Sequence, residues 1–344
     1  MRDAKSYEVV RKYPFFEGYV ERFGRTSIDN DIPAMLSFFF VQGQIAAKYV
    51  RIPWDGSHLD PRVHVFWIQP SRTGKSIAWE FIGDVLKDCG IESTGYTAGT
   101  DAGLIGGVVS ETVTNEHGKK EQITVQTKGM LGGQKALNFD EGSVILDPGQ
   151  HSKQTVLYLQ QACNPIGSNS NILEKHMSGR TISTESLASL WITTYPPKGV
   201  KDYVLTKGIF QRVLLFWSHW SMDRRMGVSM VRMEKAFTTT PKTKVDYEDI
   251  VNYFTGLEKR LLYRVLKLTD CDVMQWDEMD RDQQEELVQS CMDRMFTVDE
   301  TFRAASYDVV EDFYSLLNDM EFALKDIVSS FLPAMENYSV ILAT

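Results

Sequence analysis

The chain is poor in the residues that build covalent or metal frameworks. Its four cysteines (Cys89, Cys163, Cys271 and Cys291) are far apart, form no CxxC pair, and face only six histidines, none paired at ligand spacing. A disulfide scaffold and a structural zinc site are therefore not expected, and a reducing, cytoplasmic compartment is. Long apolar runs are missing too. The longest purely apolar stretches, such as Phe38–Val41, fall far short of the roughly 20 residues that cross a bilayer. Residues 1–12 are charged and lack the apolar run of a signal peptide. Low-complexity segments and internal repeats are absent, and 43% hydrophobic with 24% charged residues is the composition of a chain that folds around a core.

Charge is unevenly spread. Residues 246–344 hold 22 Asp/Glu against 8 Lys/Arg, while residues 1–245 hold 24 against 29. A mildly basic front is compatible with phosphate-bearing partners, and the acidic back would repel nucleic acid. The 344 residues suggest more than one module. Three regions are expected: an N-terminal helical region over 1–58, an α/β core over 59–225, and an acidic helical region over 226–344. The last ends on an apolar SVILAT without a cap, as though the chain stops inside an element.

Patterning fills in this outline. Asp29 or Asn30 is placed to cap a packing helix over Ile32–Val50. Arg51–Arg62, with two Pro and one Gly, reads as a turn. Val63–Ile68 is a buried-strand run, followed by a turn and a helix over Ile77–Lys87. Further strands are expected at Gln122–Gln126, Ala136–Phe139, Ser189–Thr193 and Val213–Trp217. With helices between them they make an α/β sheet covered on both faces. Leu257–Leu268 and Val309–Phe331 carry apolar residues at helical spacing.

The strongest chemical signal is Trp67-Ile-Gln-Pro-Ser-Arg-Thr-Gly-Lys-Ser76, a strand, a turn and a helix start. This is the context of a P-loop, where backbone N–H groups and the helix dipole converge on an anion. The candidate phosphate-binding residues are Gln69, Pro70, Ser71, Arg72, Thr73, Gly74, Lys75, Ser76 and Ile77. Lys75 would reach the β- and γ-phosphates of ATP, and Ser76 would face Mg²⁺. Gln69 and Arg72 stand where glycine is common, so the loop must take a shape open to larger residues or carry strain.

Three further elements fit the same chemistry. Lys135–Glu141 is an apolar strand ending in Asp140, a candidate Mg²⁺ partner, and Glu141, a candidate for polarising the attacking water. Ser189–Thr194 ends in hydroxyls, either of which, Thr193 or Thr194, would sense a γ-phosphate. Arg212, just ahead of a strand, would serve as an arginine finger across a subunit interface.

In this order the four elements resemble AAA+ ATPases of the MCM-like and phage or plasmid primase–helicase kind. Tyr96–Val108 is similar to the segment that leads into that family's helix insert. Val113–Val125 resembles its hairpin insert, with a polar tip at His117–Lys120. Gly179–Leu190 resembles the hairpin before its sensor strand, and Phe210-Gln-Arg212 its Ser-Arg-Phe step. The resemblance covers about residues 60–220.

It implies a P-loop AAA+ core and a ring, most often a hexamer, with nucleotide between subunits. It also implies hairpins that track DNA through Lys119, Lys120, Lys175, His176 and Arg180 by sequence-independent phosphate contacts. The sensor strand here has Thr193–Thr194 where MCM proteins have Asn, and Arg224, Arg225 and Arg232 are all open as the second sensor. The expectation is an ATP-driven DNA helicase of a virus, phage or mobile element. The alternatives are an AAA+ ATPase that remodels or loads proteins, a nucleotide-binding scaffold with little hydrolysis, and a structural protein that binds no nucleotide. The acidic helices would form a lid or dock a partner.

Overall fold

The computed structural model describes residues 12–54, 56–96, 101–114, 120–147, 153–177, 180–197, 208–237 and 243–295, with Val200, Val204, Ala334 and Tyr338. Two helices, α1 (Pro14–Thr26) and α2 (Asp31–Ala46), open it, and a small hairpin of β1 (Ile52–Trp54) and β2 (Ser57–Leu59) follows. That hairpin occupies the segment expected to be a plain turn. Then come β3 (Val65–Ile68), α3 (Lys75–Asp88), β4 (Glu92–Tyr96) and α4 (Asp101–Ile105). The long hairpin of β5 (Gly106–Thr114) and β6 (Lys120–Lys128) leads to β7 (Lys135–Phe139), α5 (Ser143–Leu146) and α6 (Lys153–Ala162). A second hairpin, β8 (Ile172–Met177) and β9 (Arg180–Glu185), precedes β10 (Ser189–Thr194) and β11 (Leu214–Trp217). The described elements continue with α7 (Met222–Phe237), α8 (Tyr247–Thr269), α9 (Val273–Glu278), α10 (Arg281–Ser290) and α11 (Met292–Met295).

The core is a five-stranded parallel sheet in the order β11-β3-β10-β7-β4, flanked by helices. Side chains alternate across it, as a strand's period of two requires. Val65 and Trp67 of β3 join Trp191 of β10 in a cluster with Tyr19, Phe38, Phe81 and Phe254, from α1, α2, α3 and α8. Phe66, Ile68, Leu137 and Ile192 face the other way, onto Leu104, Leu146, Leu159 and Phe210. Both faces are covered, which is why β3 and β10 are buried along their whole length. The N-terminal helices and α8 thus share one core with α3. Each fully buried Phe there contributes about 1.5–3 kcal/mol of transfer free energy. Among the described residues no helix is long and apolar enough to cross a membrane.

One strand expectation needs correction, and one strand was not expected. Gln122–Gln126 lies in β6 of the two-stranded hairpin and not in the main sheet. Its place in the sheet is taken by β4, Glu-Ser-Thr-Gly-Tyr, which among the described residues pairs with β7 alone, at the edge. An edge strand has one open side and needs no apolar run, so periodicity passes over it; Lys135 and Glu92, cross-strand partners, are ion-paired at 3.2 Å. The expected helix at Val309–Phe331 lies outside the described residues. The helix expected over Ile32–Val50 is α2, with Asn30 at its N-cap position but giving no side-chain cap bond.

The other end of the sheet, where the strands begin, is held by buried charge. Arg62 is fully buried, donates to both Asp60 oxygens at 2.8 and 2.9 Å, and caps the carbonyls of Ala162, Ser186 and Ala188 at 3.0 Å each. Burial pushes the Asp60 carboxyl up, but the charge and hydrogen bonds of Arg62, the charge of Arg51 and the Ile166 amide outweigh it and hold it below the usual carboxylate range. Beside them His64 is buried and stays neutral. Burial, then the Arg62 charge, lower it to about 3, and its Nδ1 accepts from the Leu190 amide at 3.2 Å.

Candidate phosphate-binding site

The site lies where the parallel strands end, at the crevice that open α/β sheets offer to ligands. β3 stops at Ile68, the loop Gln69–Gly74 crosses the strand ends, and α3 begins at Lys75. Gly74 takes φ +95 at the N-cap, so no side chain caps the first turn of α3. Arg72 also sits in the left-handed region, at φ +62, a strain of about 1–2 kcal/mol for a residue with a Cβ. Gln69 is not strained in this way. Its backbone N–H donates to the Thr194 carbonyl at 3.1 Å, and its side chain is fully buried. Ser71, Arg72, Ser76 and Ile77 are exposed, while Pro70, Thr73 and Lys75 are buried.

The Lys75 ammonium lies inside the loop's curve and donates to the Gln69 and Pro70 carbonyls at 2.6 and 2.9 Å. The Tyr195 ring, 45% exposed, covers it at 5.2 Å. Burial lowers the Lys75 pKa to about 8; Asp140 opposes the shift and Arg225 adds to it.

β7 delivers the carboxylates. Asp140 follows its last residue, with Oδ1 3.5 Å from the Ser76 hydroxyl and 3.2 Å from that of Thr193. Because β10 is wedged between β3 and β7, Thr193 stands between loop and carboxylate. Thr194 points to the opposite side, and its hydroxyl is buried without a hydrogen-bond partner. Of the two expected hydroxyls, Thr193 is the one that reaches Asp140. Glu141 is exposed beside it. Gly142 fixes that turn through its N–H, which donates to the Thr193 carbonyl at 2.8 Å. A Cβ there would lie 2.5 Å from Ile192 Cγ2.

Helix α7 supplies cations that sequence left unsorted. Arg224 pairs with Asp29 and lies 4.8 Å over the Trp220 ring. Arg225 and Arg232, seven residues apart and so on one helix face, each bury a guanidinium nitrogen that has no hydrogen-bond partner among the described residues. The Arg232 Nη2 lies 3.0 Å from where a Cβ on Gly74 would be. Ser27 and Asn30 also touch the loop: Asn30 Nδ2 donates to the Thr73 carbonyl at 2.7 Å, and Ser27 Oγ to that of Gly74 at 3.1 Å. The only sequence signal at Asn30 was a cap, which pointed to its own helix.

Comparison of the chain with protein-family models and with curated protein sequences finds no match.

The remaining expected residues lie elsewhere. Arg212 precedes β11, at the strand starts, and is tied down by bonds to Asn164 Oδ1 at 2.7 Å and the Gly208 carbonyl at 2.9 Å. Within one chain it does not join the loop. Lys175, half-buried, and His176, exposed, are near the end of β8; Arg180 opens β9 opposite Met177. Lys120 opens β6 opposite Thr114, and Lys119 lies outside the described residues.

Among the described residues no three His, Cys, Asp or Glu side chains cluster as a metal cage. Ser76 and Asp140 instead pair a hydroxyl with a carboxylate, the hard-oxygen set that Mg²⁺ accepts alongside phosphate oxygens and water. A cavity of about 520 Å³ opens between α1 and α7, next to the turn that carries Asp29, and is lined by Val20, Arg25, Ile28, Val228, Val231 and Lys235 among others.

Proposed function

We propose that this protein is a P-loop ATPase of the AAA+ kind that works on DNA, as a ring-forming helicase or translocase of a virus, phage or mobile element. The observation that carries the ATPase reading is the meeting of Ser76 and Asp140, 64 residues apart in sequence, beside the buried Lys75. A loop at a helix start, a lysine inside it and a hydroxyl–carboxylate pair at its mouth together suit a magnesium-bound triphosphate.

In this reading Lys75 neutralises charge on the β- and γ-phosphates. Ser76 and Asp140 hold Mg²⁺, which when bound screens the charge between those phosphates. Glu141 orients the attacking water and takes up its proton, and Thr193 keeps Asp140 turned toward Ser76. Arg225 and Arg232, each with a guanidinium nitrogen unpartnered among the described residues, reach the phosphates from α7. The base and ribose enter the cavity between α1 and α7.

The motor part of the proposal rests on the resemblance and on two hairpins inserted at the places it implies. Arg212, at the opposite end of the sheet from the loop, acts as a finger only on the nucleotide of a neighbouring copy. That is the reason to propose a ring, with a hexamer as the expected size.

The test is ATP hydrolysis by the wild type and Lys75→Ala, each with and without single-stranded DNA. Hydrolysis that rises with DNA and vanishes in the variant is expected. No hydrolysis, or hydrolysis that Lys75→Ala leaves untouched, overturns the proposal. Hydrolysis indifferent to DNA at low and moderate salt overturns the motor part alone.

A further inference from the structure

The loop's odd residue, Gln69, leads to a group outside the loop. Its amide is paired at both ends: Trp67 Nε1 donates to Gln69 Oε1 at 2.5 Å, and Gln69 Nε2 donates to Asn30 Oδ1 at 2.9 Å. Asn30 Nδ2 in turn donates to Ser27 Oγ at 2.8 Å and to the Thr73 carbonyl at 2.7 Å, and Ser27 Oγ donates to the Gly74 carbonyl. A closed path of hydrogen bonds thus runs from β3, through the turn between α1 and α2, to the two residues before Lys75. Ser27, Asn30 and Gln69 are all buried.

The direction of these bonds matters. In a planar trans peptide the C=O and the following N–H point opposite ways. Pinning the Thr73 carbonyl toward Asn30 therefore aims the Gly74 N–H away from Asn30. Pinning the Gly74 carbonyl toward Ser27 does the same for the Lys75 N–H. Those two amides are the ones a phosphate at the start of α3 would need. Asn30 meanwhile forgoes the cap bond to its own helix, a contribution that such a residue commonly makes.

We propose that Asn30 is a positioning residue of the nucleotide site, which aims the loop amides through Thr73, with Gln69 as its brace. Gln69 stands where glycine is common because its side chain holds Asn30. This inference rests on the nucleotide reading above and adds to it a residue more than 40 positions upstream of the loop's lysine.

Asn30→Asp tests it, with Ser27→Ala measured beside it because that change breaks the same path without adding a charge that would repel phosphate. Asn30→Asp is isosteric, keeps an acceptor for Gln69 and removes the donor to Thr73 and Ser27. Binding of MgATP is measured by titration calorimetry for the wild type, Asn30→Asp, Ser27→Ala, Gln69→Gly and the Asn30→Asp/Gln69→Gly double variant, alongside melting temperature without nucleotide. Asn30→Asp should raise the Kd about 10- to 100-fold, the effect of one misplaced buried hydrogen-bonding pair. The double variant should bind within about threefold of Asn30→Asp, because both changes break one path. Wild-type affinity in a folded Asn30→Asp overturns the inference, as does a double variant whose two losses simply add. Ser27→Ala, which removes one hydroxyl, should raise the Kd several-fold; wild-type affinity there counts against the inference in the same way, and this variant carries the test if Asn30→Asp does not fold. A wild type that fails to bind MgATP refutes the nucleotide reading itself.

Discussion

The buried lysine predicts a pH profile. With its pKa lowered to about 8, mainly by burial, Lys75 is about nine-tenths charged at pH 7, half charged at pH 8 and one-tenth charged at pH 9. A triphosphate seated against it favours the ammonium, so the pKa in the complex lies higher and binding takes up a proton above pH 8. Affinity is then fully present below pH 8 and is lost as pH rises through it. Between pH 7 and pH 9 the Kd of MgATP should rise about tenfold, equivalent to about 1.4 kcal/mol. Phosphate ionisation does not interfere, because its second pKa lies near 6. The assay is calorimetric titration of MgATP at pH 7, 8 and 9, at constant ionic strength and saturating magnesium. Lys75→Arg is the control: it stays charged throughout, binds more weakly in a pocket cut for a lysine, and should show a flat profile. A wild-type profile that is flat to pH 9, or a Lys75→Arg profile that falls in parallel, refutes the reasoning.

Other expectations follow from single contacts. Glu141→Gln should abolish turnover and leave MgATP affinity within a few-fold; equal loss of both would move Glu141 from the chemistry to the binding of nucleotide. Gly142→Ala drives a Cβ against Ile192, so urea titration should report a loss of about 1–3 kcal/mol, with hydrolysis falling more than affinity as the neighbouring Glu141 shifts. Arg225→Ala and Arg232→Ala should each weaken MgATP binding by tenfold or more, and Arg224→Ala, whose partner is Asp29, by much less; equal effects would remove α7 from the phosphate site. At the far end of the sheet, Arg62→Ala strands a buried Asp60 and should cost about 3–5 kcal/mol in urea. Asp60 has a depressed pKa in the fold, so its stabilising contribution is present above about pH 4 and lost on acidification below that.

The two ends of the sheet do different work. Where the strands begin, Arg62 fills backbone carbonyls and Asp60 fills Arg62, so the charges there are spent on holding strands and hairpin feet together. Where the strands end, Arg225 and Arg232 keep guanidinium nitrogens without partners among the described residues, and Glu141 faces outward. Buried polar groups are almost always satisfied inside a fold. Arg281 carries such nitrogens as well, so it is the nearness of Arg225 to Lys75 and of Arg232 to Gly74 that ties these two to the proposed phosphate site.

Much of this was legible in the chain itself. Val65–Ile68 and Ser189–Thr194 are dense in β-branched and aromatic residues because both sheet faces are covered, and that composition marks a buried parallel strand. The Gly-Lys-Ser start of α3 and the Asp-Glu end of β7 are local signals, each made by neighbours in sequence. What sequence could not supply was pairing over distance. That β10 lies between β3 and β7, so that Thr193 and not Thr194 meets Asp140, depends on strand order, which no local pattern encodes. That Arg225 and Arg232 face the loop while Arg224 turns to Asp29 depends on the rotation of α7 against its neighbours. Asn30 read as a cap because its nearest neighbours are its own helix; only packing brings Thr73 and Gln69 closer than those. β4 escaped for the opposite reason, since an edge strand is fixed by a hydrogen-bonded partner rather than by burial of its own side chains. Local periodicity thus determined the elements and the loop chemistry, and tertiary contact decided which side chains share the site.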